Sequence, residues 1–127
     1  MHTAQVGTVE DTAYRAAVAH RNDEIAGWLR THLGQRITAV ALGVSDPQRI
    51  GDYAAGRMRP SKTCEARMRL LYRAARTVVD VYDAETARAF LVGANPQLGD
   101  RSPLLVLADD PPEQAAPQIL AAVRSSM

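Results

Sequence analysis

Cysteine occurs once in this chain, at Cys64. A single thiol excludes a disulfide framework and a cysteine-based metal cluster, and the plain expectation is a reducing, cytoplasmic setting. No apolar run approaches the roughly 18 residues of a membrane span, so no membrane association is expected. Met1–Glu10 lacks the charged-then-apolar order of a secretory signal. No stretch alternates with period 2, which leaves strands without support, and there is no internal repeat. A Gly-rich phosphate loop is missing too. His2, His20 and His32 lack metal-ligand spacing with one another or with carboxylates. These absences argue against an enzyme and imply neither cofactor nor metal. Cys64 lies near Lys62 at a helix start, a setting that can activate a thiol; a small core residue is the simpler reading.

What is present is arginine. Of fifteen basic residues only Lys62 is a lysine. Arg forks match phosphates well, although GC-rich coding produces the same bias. The net charge of +1 conceals an uneven distribution. Residues 46–76 hold eight basic groups (Arg49, Arg57, Arg59, Lys62, Arg67, Arg69, Arg73, Arg76) against three acidic ones. Residues 77–127 hold three basic and seven acidic. A basic block beside an acidic one suggests two surfaces with different partners.

At 127 residues the chain is long enough to bury its own core as one small domain with or without an appendage. The periodicity predicts an all-α fold: a helix-turn-helix bundle followed by a small helical module. Residues 1–21 read as an N-terminal extension, 22–82 as the helix-turn-helix domain with a long connecting helix, and 83–127 as a C-terminal module. Thr8–Ala19 is a weak helix with Val9, Ala13, Ala16 and Ala17 on one side. Asn22 or Asp23 caps a clearer one, in which Ile25, Trp28, Leu29 and Leu33 recur at helical spacing and Trp28 belongs in the core. Ser61 or Thr63 starts the longest helix, running to about Tyr82. Its stripe is Met68, Leu71, Ala75, Val78 and Tyr82, widened by Leu70, Ala74 and Val81, with Arg69, Arg73 and Arg76 on the remaining face. Asp83 caps a helix over 84–92. Ser102 opens a short one over 104–107. A last helix starts near Ala116 or kinks at Pro117.

Residues 37–60 carry the most specific local pattern. Ala39, Ala41 and Leu42 lead into Gly43, which suits a turn with positive φ. Ser45-Asp46-Pro47-Gln48 then reads as a helix start, with the Ser45 hydroxyl accepting from the Gln48 amide. Ile50, Tyr53 and Ala54 form the inner stripe of this second helix. Two short helices at such a turn make a helix-turn-helix, whose second helix can enter a DNA major groove. Ser45, Gln48, Arg49 and Asp52 are the candidate groove-facing residues. Gln can pair bidentately with adenine and Arg with guanine. Arg57, Arg59 and Lys62 suit phosphate contact, which fixes register. With about five phosphates neutralised, log affinity would fall with log salt at a slope near −4 to −5. A solvated basic face that binds no DNA is the alternative.

Two segments resemble a known family. Leu42-Gly43-Val44-Ser45, Ile50 and the Gly56-x-x-x-Pro60 spacing resemble the Xre type of helix-turn-helix. The order Phe90-Leu91, Asn95-Pro96, Leu98-Gly99, Pro103-Leu104 resembles the C-terminal module of the Xre/MbcA/ParS-like antitoxins. Phe90 stands where that family often has Trp, and Ala94 where Pro or Thr often precedes the Asn. The likeness spans about residues 22–125. It implies an antitoxin that oligomerises as a homodimer or higher assembly. Such a protein masks a cognate RES-domain toxin, which consumes NAD or transfers its ADP-ribose, and represses its own operon by binding operator DNA. The segment 104–127 would block the toxin's pocket. The residues expected at that contact are Asn95, Leu98, Arg101, Leu104, Leu105, Leu107, Ile119, Leu120 and Val123, an exposed leucine-bearing stripe with an acidic rim. The rival for this segment is a stripe folded back on Val78 and Phe90 to complete the core. A stand-alone helix-turn-helix repressor is the alternative function.

Overall fold

The computed structural model describes the backbone of residues 2–127 and the side chains of residues 7–127. Among them the chain is all-helical, as the missing period-2 pattern predicts. The α-helices are α1 (His2–Ala19), α2 (Asn22–His32), α3 (Gln35–Leu42), α4 (Gln48–Ala54), α5 (Lys62–Val81), α6 (Ala84–Val92), α7 (Pro103–Asp109) and α8 (Pro112–Ser125), with one 3₁₀ turn at Pro96–Leu98.

The longest helix organises the rest. Ser61 caps α5 by accepting from the Cys64 amide at 3.2 Å. Met68, Leu71, Ala75 and Val78 are buried on one side, and Leu70, Tyr72 and Ala74 widen that stripe until the helix is apolar over much of its circumference. Buried Thr77 satisfies its hydroxyl on the Arg73 carbonyl at 2.8 Å. Helices α1, α2, α3, α6, α7 and α8 all pack on α5. The resulting core is one connected cluster running from Ala16 to Val123, and it crosses the division expected at residue 82. Tyr82 leaves the predicted stripe: the helix ends at Val81, the backbone turns away, and the ring is 49% exposed.

Several expected boundaries shift. Helix α1 reaches back to His2 rather than starting at Thr8, with Ala13, Ala16 and Ala17 buried as predicted. Arg21, not Asn22 or Asp23, occupies the cap of α2, and Glu24 Oε1 accepts its backbone N–H at 2.9 Å. That bond draws the Glu24 carboxyl below its ordinary pKa. Trp28 is only partly buried; it stacks on His32 at 4.0 Å between ring centroids and meets Tyr72 edge-on at 5.1 Å. Helix α8 begins at Pro112 and carries Pro117 inside it. An interior proline costs about 3 kcal/mol in an isolated helix. Here the burial of Ala115, Ile119, Ala122 and Val123 against the core offsets it.

The arginine face expected on α5 is not simply solvated. Arg69 donates to the Ala17 and His20 carbonyls and to Asn22 Oδ1, tying the end of α1 and the start of α2 to the central helix. Arg73 lies over the Tyr14 ring, 4.8 Å from its centroid. Arg76 donates to Tyr72 Oη at 2.7 Å and pairs with Asp80. At the other end of the chain, Arg124 of α8 reaches Glu10 of α1 at 2.8 Å.

The two staples from α5 to α1 differ in kind, and unfolding in urea should separate them. Arg69→Ala removes charged donors from three acceptors and should cost about 1.5–3 kcal/mol. Arg73→Ala loses one contact to a half-exposed ring and should cost about 0.5–1 kcal/mol. Equal losses would contradict this division.

Candidate nucleic-acid interface

Helices α3 and α4 form the expected helix-turn-helix. Gly43 ends α3 in the left-handed region at φ 70°, its own N–H and that of Val44 closing on the Val40 and Ala39 carbonyls. No L-residue adopts that conformation as cheaply, and a Cβ at this point would also lie 3.3 Å from Arg67 Nη1. The start of α4 departs from the expected pattern. Asp46 rather than Ser45 takes the Gln48 N–H, at 3.0 Å, and Pro47 occupies the cap. An aspartate two residues before the amide makes the tighter local turn.

Ile50, Gly51 and Tyr53 turn inward from α4, which packs mainly on α2. Ala54 is only partly buried. Gln48 and Arg49 are exposed on the first turn of α4, as a base-reading pair would need to be, and Ser45 is exposed in the turn before it. Gln48 and Asp52 line one polar groove of about 550 Å³ together with Arg57. Arg49 lies on the other flank, near the Tyr53 hydroxyl and Cys64. Arg57, Arg59 and Lys62 border a second groove of about 670 Å³ between the 56–62 loop and the start of α2. Arg59 and Lys62 are exposed there, whereas Arg57 donates to Asp52 Oδ1 from Nε at 3.1 Å and Nη2 at 2.9 Å. One expected phosphate contact is thus already partnered by another candidate residue.

Cys64 sits behind this face, with Sγ 3.9 Å from Tyr53 Oη. Burial pushes the pKa of both groups up, and the thiol sits in the core. Among the described residues no three His, Cys, Asp or Glu groups gather as a metal site; the His2 side chain lies outside them.

The C-terminal candidates divide differently. Leu98, Leu104, Leu107, Ile119 and Val123 are buried in the shared core, and Leu120 is partly buried against it. The exposed stripe expected from the sequence is therefore corrected: this segment folds back and completes the core, with α7 packing on α3 and α8 on α5. Of these nine only Leu105, 47% exposed, and Arg101 are exposed. Asn95 is structural. Its Oδ1 accepts from the Gln97 N–H at 2.9 Å, its carbonyl from Leu98 and Asp100, and its N–H donates to the Arg101 carbonyl. Gly99 and Asp100 follow at φ 63° and 65°, the left-handed region that Gly and Asp tolerate best. Arg101 then clasps Asp110 in a two-pronged pair at 3.0 and 3.1 Å, spanning α7.

Compared with known proteins, the chain matches no family model. No curated protein and no solved structure matches it either. The DNA half of the functional argument is therefore carried by the fold and the exposed side chains. Two groove residues, Arg30 and Gln35, escaped the sequence reading. They stand five apart across a helix break at Gly34, and only the folded α2–α3 corner brings them beside α4.

Two measurements test this geometry. Native Cys64 should react with a thiol reagent near neutral pH far more slowly than the urea-unfolded chain; equal rates would show the thiol to be open. Arg101 holds the Asp110 carboxyl below its ordinary value of 3.8. The clasp therefore stabilises the fold above that pH and ceases to do so as pH falls through the lowered folded value. Arg101→Ala should reduce stability at neutral pH and flatten its decline in acid, and an unchanged acid limb would contradict the pairing.

Proposed function

We propose that this chain is a DNA-binding antitoxin: α3 and α4 dock on operator DNA, and the C-terminal segment contacts a RES-domain toxin. The observation that carries the DNA half is the exposed Gln48–Arg49 pair on the outer side of α4, while Ile50 and Tyr53 anchor the same helix to the core. A rigidly seated helix presenting a Gln and an Arg has what base readout requires, two side chains able to pair bidentately with adenine and guanine. Exposed Arg59 and Lys62 beside it suit backbone phosphates, which orient a protein without reading sequence. A two-fold dimer would match half-sites about one helical turn apart.

The toxin half rests on the resemblance over residues 87–107 and on the outward-facing Leu105 and Arg101. The rival is a stand-alone repressor, and one observation favours it. Five of the nine side chains expected at a toxin contact are already consumed by the chain's own core. A cut after Asp100 would strip α7 and α8 from that core, so a surface change is the sound test of the toxin half.

On an operator duplex selected from the promoter region, Gln48→Ala/Arg49→Ala should lose at least about tenfold in affinity, since each good base pair contact is worth about 1–3 kcal/mol. Its binding to unrelated duplex should fall much less. The same variant should still neutralise a neighbouring RES-domain toxin in an NAD-consumption assay, whereas Leu105→Arg should fail to neutralise while keeping its thermal transition. No neutralisation by the unaltered chain, or no such toxin encoded alongside, would favour the stand-alone repressor, and full neutralisation by Leu105→Arg would exclude Leu105 from the toxin contact.

A further inference from the structure

Arg30 belongs to α2, outside the helix-turn-helix, and Gln35 opens α3. The fold brings both across the middle of α4. With its amide turned so that Oε1 faces the guanidinium, Gln35 accepts from Arg30 Nε at 2.9 Å and from Nη2 at 3.2 Å. The pair covers buried Gly51, where an added Cβ would stand 3.5 Å from the Gln35 amide and 3.8 Å from Arg30 Cζ. Gln48, the first residue of α4, lines the same groove.

The charges of that groove are not equivalent. Arg57 is neutralised by Asp52, whereas Asp46 accepts only the neutral Gln48 N–H and keeps its negative charge at the start of α4. Arg30 is held by a neutral amide instead, which orients the fork without cancelling its charge. A guanidinium carries five N–H donors. Gln35 occupies two, and the remaining three stay with an exposed side chain. A pre-oriented Arg fork loses less freedom on meeting an oxyanion than a free one does.

We propose that Arg30, held by Gln35 across Gly51, is a backbone-phosphate contact that sets the register of α4 on duplex DNA. The inference rests on the DNA-binding reading above and adds a positioning residue from outside the helix-turn-helix. A phosphate contact acts on every sequence alike and contributes about one unit to the salt slope. The sequence preference then stays with Gln48 and Arg49.

The test is fluorescence anisotropy over a salt series, on a mixed-sequence duplex of about three helical turns and on the selected operator. Arg30→Ala should weaken both by the same factor, about tenfold, and reduce the salt slope by about 1. Arg30→Lys should keep the slope, because the charge remains. Gln35→Glu should weaken binding at least as much as Arg30→Ala, because a carboxylate now cancels the guanidinium, and Gln35→Ala should weaken it less. If the wild type binds with a salt-dependent affinity and Arg30→Ala matches it in affinity and slope, this inference falls and the DNA reading stands. If the wild type binds neither duplex, both fall.

Discussion

Everything in this molecule leans on the wide buried stripe of one helix. Helix α5 buries nine of its twenty residues in one wide stripe, and six other helices pack on it. So wide a buried stripe needs cover on several sides, so its neighbours are obligatory. The N-terminal helix and the C-terminal pair α7 and α8 are therefore not ornaments on a helix-turn-helix. They cover apolar surface that the 22–82 segment alone would leave in water, and the Arg69 staple and the Arg124–Glu10 pair fasten them there.

That arrangement has a functional consequence. The base-reading candidates ride on a helix of only seven residues, too short to be stable by itself. Ile50 and Tyr53 hold it against α2 and the core, and Gly43 sets the angle at which it leaves α3. Around it, side chains are fixed in pairs: Asp52 with Arg57, Asp46 with the Gln48 amide, Gln35 with Arg30. Such pairing lowers the entropy lost when a surface meets a polyanion, and it also spends some of the charge that the sequence offers. The useful cations are those left unneutralised, which is not the same set as the arginines nearest in sequence.

Much of this was legible in the residues, and the failures share a cause. The all-helical class, the Ser61 and Asp83 caps, the Gly43 turn and the inward Ile50 and Tyr53 all follow from periodicity and local chemistry. Missed features depend on what lies across the fold. Tyr82 and Trp28 are spaced like core residues but sit where no neighbour covers them fully. Pro117 reads as a break, yet tertiary burial carries α8 through it. Leu104, Leu107, Ile119 and Val123 look like surplus apolar residues behind a proline break, and α3 and α5 absorb them. Arg69 reads as a surface charge until the α1 carbonyls appear beside it. Local pattern locates elements; it does not say which charges are already spoken for.

The central claim is that α3 and α4 are the face this chain turns toward DNA while α7 and α8 remain seated in its core. Amide chemical-shift mapping of the labelled full chain, titrated with duplex from its own promoter region, tests it most directly. The account predicts that the largest shifts gather on residues 30–62, with residues 103–125 little changed. Shifts confined to α7 and α8, or none at any concentration of duplex, would contradict it.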